Sequence, residues 1–116
     1  MARYATSFEE YVDIIATESP HAAVMDWGRR LNLAIDHYFK GFGERRGKAK
    51  EVDRRIASDP KLGPDVAAKL RELRLKRNAV THEDVGPLSR EEAIRYAEDA
   101  FQLMGALAFP WPLSKQ

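Results

Sequence analysis

A chain of 116 residues with 44% hydrophobic content can build one compact domain around one core, and the absence of cysteine excludes a disulfide framework, a thiolate zinc site and a cysteine nucleophile. No apolar run approaches the roughly 20 residues that cross a bilayer, and Met1-Ala2-Arg3-Tyr4 lacks a signal-peptide core, so a cytoplasmic protein without a membrane partner is expected. The net charge of +1 is unevenly spread: residues 1–39 carry −3, residues 40–77 carry +7 and residues 78–116 carry −3. The basic middle either meets a polyanion or complements the chain's own acidic helices.

The pattern is helical throughout. Ser7 caps a short first helix with Phe8, Tyr11, Val12 and Ile15 on one side. Ser19-Pro20 is an N-cap followed by a proline at the first helical position. The long helix it opens places Val24, Trp27, Leu31, Ala34, Ile35 and Tyr38 on one side, with Gly41 and Gly43 as stop signals. Residues 44–58 read as a short charged helix carrying Val52 and Ile56 inward. Residues 58–64 are punctuation, and Pro64 opens a helix running to about His82. Glu83 to Pro87 form a loop, and Ser89 with Glu92 makes a capping box for the last helix. Its buried side includes Ala93, Ala97, Ala100, Phe101, Met104 and Ala108, and Phe109 to Leu113 fold back as an apolar clasp. No strand pattern competes, and the expected fold is all-α, a four- or five-helix antiparallel bundle in a single domain over residues 1–116.

One position breaks the pattern. Val66, Leu70, Leu73 and Val80 recur at helical spacing, yet Arg77 lies in the middle of their stripe, about 20° from Val66 around the helix. A guanidinium on a core face costs several kcal/mol in desolvation, roughly, unless it is paired. It is therefore either half of a structural ion pair or part of a site. Asn78 and His82, at i and i+4, share another face with Arg71 and Leu75. Arg77 and His82 are about 140° apart, so their heads converge poorly within one chain, and a second copy across a two-fold axis would supply the missing partner. Leu75, about 180° from Val66 and off the core stripe, is the expected interface contact.

The stretch Leu73 to Asp84, with Arg77-Asn78-Ala79-Val80-Thr81-His82 at its centre and Leu88-Ser89-Arg90-Glu91-Glu92-Ala93 after it, resembles the HEPN superfamily. The resemblance rests on residues 66–108. It implies a small helical bundle that dimerises and brings two Arg-polar-x-x-x-His motifs into one cleft. Active members are metal-independent endoribonucleases of toxin–antitoxin, defence and RNA-processing systems. Others are catalytically silent and serve as dimerisation or protein- and nucleotide-binding modules. Carried onto this chain, the resemblance makes Arg77 and His82 the catalytic pair and Asn78 the polar residue beside Arg77. Its implied partners are RNA or a nucleotide, a second copy, and an antitoxin or neighbouring protein. Many toxin members carry tyrosine two residues after the histidine. Asp84 stands there in this chain, so regulation through a modified tyrosine is not expected.

The chemistry suits those residue types. Histidine moves protons near neutral pH, and the arginine fork donates two parallel hydrogen bonds to a phosphate. Asn78 can orient the imidazole or a phosphate oxygen, and the expected product is a 2′,3′-cyclic phosphate. Arg71, Arg74 and Lys76 are the expected RNA- or phosphate-binding residues; no metal and no cofactor are called for. Blander roles compete with each of these. Arg77 can pair with a buried carboxylate, and His82 can simply cap a helix end. His21 reads as a surface residue, His37 as a polar flank, and Trp27, Tyr38 and Phe101 as core. Arg45, Arg46, Lys48, Lys50, Arg54 and Arg55 read as a solvated face before a phosphate-tracking patch.

Overall fold

Ser19 stands in extended backbone (φ −162°, ψ 106°) and its Oγ accepts the Ala22 N–H at 3.1 Å, so the expected cap and the proline behind it open the first helix described, α1 (Pro20–Lys40). The computed structural model describes residues 19–82 and 87–107. The expected first helix at Ser7, the clasp at Phe109 to Leu113, and Glu83, Asp84 and Ala108 lie outside those residues. Three more helices follow: α2 (Ala49–Ala57), α3 (Gly63–Thr81) and α4 (Arg90–Ala106). There is no strand among the described residues, and the fold is all-α.

Each helix buries most of the stripe its periodicity predicts; on α3, Leu70, Leu73 and Val80 are buried and Val66 is half-buried. On α1 the six expected residues from Val24 to Tyr38 are all buried, joined by Ala23, Gly28 and Phe39. Trp27 is fully enclosed and meets Phe101 edge-on at 6.3 Å between ring centres. Enclosing such a side chain contributes about 1.5–3 kcal/mol. On α4 the buried set is Ala93, Tyr96, Ala97, Ala100, Leu103 and Met104. Phe101 is only half-buried, and Tyr96 and Leu103 take the inward places that an alanine-led reading passed over. The small Ala93, Ala97 and Ala100 let α1 and α4 approach closely along their length, while α2 folds onto α3 and α3 crosses α1. Contact between α3 and α4 is sparse and leaves a groove between them.

The turns explain where the expected boundaries shift. Gly41 keeps a right-handed conformation (φ −61°), and it is Gly43, at φ +70°, that leaves the helix in the left-handed region. The following chain runs back along α1, with Arg46 reaching Asn32 Oδ1 at 3.1 Å and Asp36 Oδ1 at 3.3 Å. The short charged helix therefore begins at Ala49 rather than near residue 44. Its N-cap, Lys48, is extended and offers no side-chain acceptor.

Between α2 and α3, Asp59 ties the turn together. One carboxylate oxygen accepts the Lys61 N–H at 2.8 Å and the other accepts the Tyr38 hydroxyl, while its carbonyl accepts the N–H groups of Leu62 and Gly63. The Tyr38 hydroxyl, then the Lys61 amide, holds the Asp59 carboxyl below its usual range. Burial, reinforced by the Asp59 carboxylate, pushes the Tyr38 phenol up to about 12. At α4 the capping box is complete: Ser89 Oγ accepts the Glu92 N–H and Glu92 Oε1 accepts the Ser89 N–H, each at 3.1 Å.

Candidate functional site

Arg77 occupies the inward position its register predicts, and the structure shows what receives it. The opposing helix presents Gly28, in the middle of α1, where glycine costs about 1 kcal/mol relative to alanine. A Cβ at Gly28 would lie 2.7 Å from Arg77 Nε, closer still to Arg77 Cδ, and 3.0 Å from the Tyr96 hydroxyl. The missing methyl is the channel through which the Arg77 stem passes. Sequence reasoning did not single out Gly28 or Tyr96. A glycine amid a strong helical stripe was the signal available for the first. For Tyr96 the helical period alone gave no sign that its ring would face an arginine.

The guanidinium emerges at a cavity of about 110 Å³ enclosed by α1, α2 and α3 with Tyr96 of α4. Leu31, Ile35, Val52 and Leu70 give it apolar walls, and Arg46, Arg74, Arg77 and Asn78 bring polar groups to it. Two of these three cations are already neutralised. Arg74 forms a bidentate pair with Asp53 at 3.0 and 2.7 Å, and Arg46 is held by Asp36. Arg77 has no carboxylate partner among the described residues. Its Nε is buried with no hydrogen-bond acceptor among the described residues. A buried N–H donor left without an acceptor costs about 1–3 kcal/mol, and an entering anion would supply an acceptor. Burial pushes the Tyr96 phenol up to about 12 despite the Arg77 charge beside it, so at neutral pH Tyr96 is a hydroxyl next to that cation.

Asn78 is exposed and also lines the cavity, while its carbonyl accepts the His82 N–H at 3.0 Å. His82 is the C-cap of α3, exposed and outside the cavity. The motif is thus divided in one chain: Arg77 and Asn78 meet at the cavity and His82 stands beyond the helix end. Thr81 Oγ1 donates to the Arg77 carbonyl at 2.8 Å, fastening the last turn between them. A second imidazole lies close by. His21 Nε2 is 3.4 Å from the Val80 carbonyl, so this histidine, exposed as expected, flanks the end of α3.

The three expected phosphate-binding residues have different fates. Arg74 is engaged by Asp53, and Lys76 by Glu92 at 3.0 Å across the α3–α4 groove. Arg71 is exposed and has no ion pair among the described residues. Leu75 is 54% exposed on that same groove, and among the described residues only Leu33 and Phe42 are comparably exposed large apolar side chains. No three His, Cys, Asp or Glu side chains among the described residues group closely enough to hold a metal ion, and no described helix is long and apolar enough to cross a membrane. No protein-family model, no curated protein and no solved structure matches the chain.

Proposed function

We propose that this protein is a cytoplasmic, metal-independent endoribonuclease of HEPN type, acting as a homodimer. In this reading Arg77 grips the scissile phosphate and the partner subunit's His82 moves the proton. The observation that carries the reading is the buried Arg77 Nε without an acceptor, facing a cavity whose other arginines are already neutralised. A cation serving only the fold would be expected to have a carboxylate like those of Arg46 and Arg74.

The divided motif sets the mechanism. A phosphodiester drawn to the cavity mouth meets the Arg77 fork, which stabilises charge developing on the non-bridging oxygens. Asn78 lies beside it to orient a phosphate oxygen. The 2′-hydroxyl attacks phosphorus and gives its proton to the imidazole, and the resulting imidazolium protonates the 5′-oxygen as its bond to phosphorus breaks, giving a 2′,3′-cyclic phosphate and a free 5′-hydroxyl. Because His82 stands outside the Arg77 cavity of its own chain, a second copy is needed to bring an imidazole opposite the guanidinium. An isologous dimer does this with two equivalent sites. Its partners in the cell would be RNA and, in a toxin setting, an antitoxin or neighbouring protein.

The test is cleavage of single-stranded RNA in EDTA. Wild-type protein should yield cyclic-phosphate ends, and Arg77→Ala and His82→Ala should each lower the rate by about 10²–10³ or more. The same separation of Arg77 from His82 favours a second reading, a catalytically silent module that binds a nucleotide phosphate at Arg77. It predicts binding lost in Arg77→Ala, binding retained in His82→Ala, and no turnover by any form.

A further inference from the structure

We infer that the loop over residues 41–48 and the outer face of α2 guide single-stranded RNA to the Arg77 cavity, with Phe42 as a stacking platform for one base. The inference rests on the reading of Arg77 as a phosphate site and identifies the surface that delivers its substrate.

The placement of the loop is the first observation. After Gly43 the chain turns back along α1, and Arg46 fastens it to Asn32 and Asp36. One end of the loop therefore carries Phe42, and the other carries Arg46 and Gly47, which line the cavity. The loop is a path with the cavity at its end.

Charge is the second. The acidic groups nearest this surface are largely occupied: Asp36 by Arg46, Glu44 by Arg55 and Asp53 by Arg74. What remains is mostly cationic. Lys40, Arg45, Lys48, Lys50 and Arg54 are all exposed and have no ion-pair partner among the described residues. Lys50 and Arg54 stand at i and i+4 on α2, where like charges oppose helix formation. Cations exposed in this way can follow a phosphate backbone. Glu51, exposed on α2 with its carboxylate folded over Gly47, is an acidic exception among them.

Phe42 is the third. It is 54% exposed, yet it is not loose. Its ring packs edge-on against Tyr38 at 5.2 Å, and the Arg55 guanidinium lies 4.7 Å from its centre. Arg55 covers one side of the ring, and the exposed remainder, held firmly, suits a base that is free to leave its own stack, which a single strand provides and a duplex does not. The cavity of about 110 Å³ likewise admits a phosphate and not a duplex.

The experiment measures binding of a labelled single-stranded RNA of about a dozen nucleotides by anisotropy across a salt series, using the full chain with His82→Ala in EDTA so that bound RNA persists. Changing Arg45, Lys48 and Lys50 together to Gln should lower the slope of log affinity against log salt by about 2, close to 0.7 for each lost cation on a single strand. Phe42→Leu should weaken binding about tenfold, and Phe42→Trp should restore it. An unchanged slope, full binding by Phe42→Leu, or equal affinity for a blunt duplex would overturn the inference. The two readings also fail separately. A wild-type protein that binds in this way without cutting removes the nuclease and keeps the path, whereas unchanged cleavage kinetics in the triple variant remove the path and keep the nuclease.

Discussion

Gly28→Ala separates a working Arg77 from a merely packed one, because the substitution touches the arginine without removing it. The new methyl would overlap Arg77 Cδ and sit 2.7 Å from Nε, well inside contact distance. It would also press on the Tyr96 hydroxyl at 3.0 Å. The atoms it meets belong to flexible side chains, so the backbone need not move. The Arg77 stem must swing aside, carrying the guanidinium out of its place at the cavity. Against that displacement stands a gain of about 0.5–1 kcal/mol, because alanine is the better helix former in the interior of α1. The two effects nearly offset, and the melting temperature should stay within a few degrees of wild type. The phosphate contact proposed for Arg77 has no such compensation. Misplacing a charge-assisted donor in the transition state costs about 3–4 kcal/mol, which is a loss of 10²–10³ in rate. The assay pairs thermal unfolding with RNA cleavage in EDTA. A stable Gly28→Ala protein that cleaves RNA like wild type would refute the role given to Arg77. So would a large loss of stability with the activity of each folded molecule unchanged.

Three further outcomes follow from the same structure. Arg77→Met removes the charge while keeping an unbranched stem, and because it also removes a buried N–H that lacks an acceptor, the variant should be about as stable as wild type in denaturant melts, yet inactive on RNA. Tyr38→Phe removes the hydroxyl that holds Asp59 below its usual range. A depressed carboxylate contributes stability that is present above the unfolded pKa near 4 and lost as pH falls through the folded value, so the variant's deficit, a few degrees at neutral pH, should shrink below about pH 4 in a series of melts. Ser89→Ala breaks the capping box of α4 and should cost about 1 kcal/mol by chemical denaturation without changing RNA affinity.

Much of the fold was legible because it is encoded by neighbours in sequence. Ser19 and Ser89 announce their helices through hydrogen bonds to residues three positions on, and the buried stripe of α1 follows from helical period alone. The inward setting of Arg77 was legible for the same reason. Boundaries set by backbone conformation were less so: two glycines flank Phe42, and only geometry shows that Gly43 is the left-handed one. Least legible were features made between distant segments. Asp53 meets Arg74 and Asp59 meets Tyr38 across 21 residues each, while His21 reaches Val80 across 59. Gly28 belongs to the same class. Its helix-breaking tendency is visible in the sequence, but the arginine that makes it useful lies two helices away.

The measurement that bears most directly on a two-chain site mixes two inactive proteins. Arg77→Ala and His82→Ala are purified separately, each shown to leave RNA intact, then mixed in equal amounts, allowed to exchange subunits and assayed in EDTA. With one intact Arg77–His82 combination in each mixed dimer, half of all dimers carry one of the two sites, and activity should recover to about a quarter of wild type. A mixture as inert as its components, beside an active wild type, would contradict the composite site.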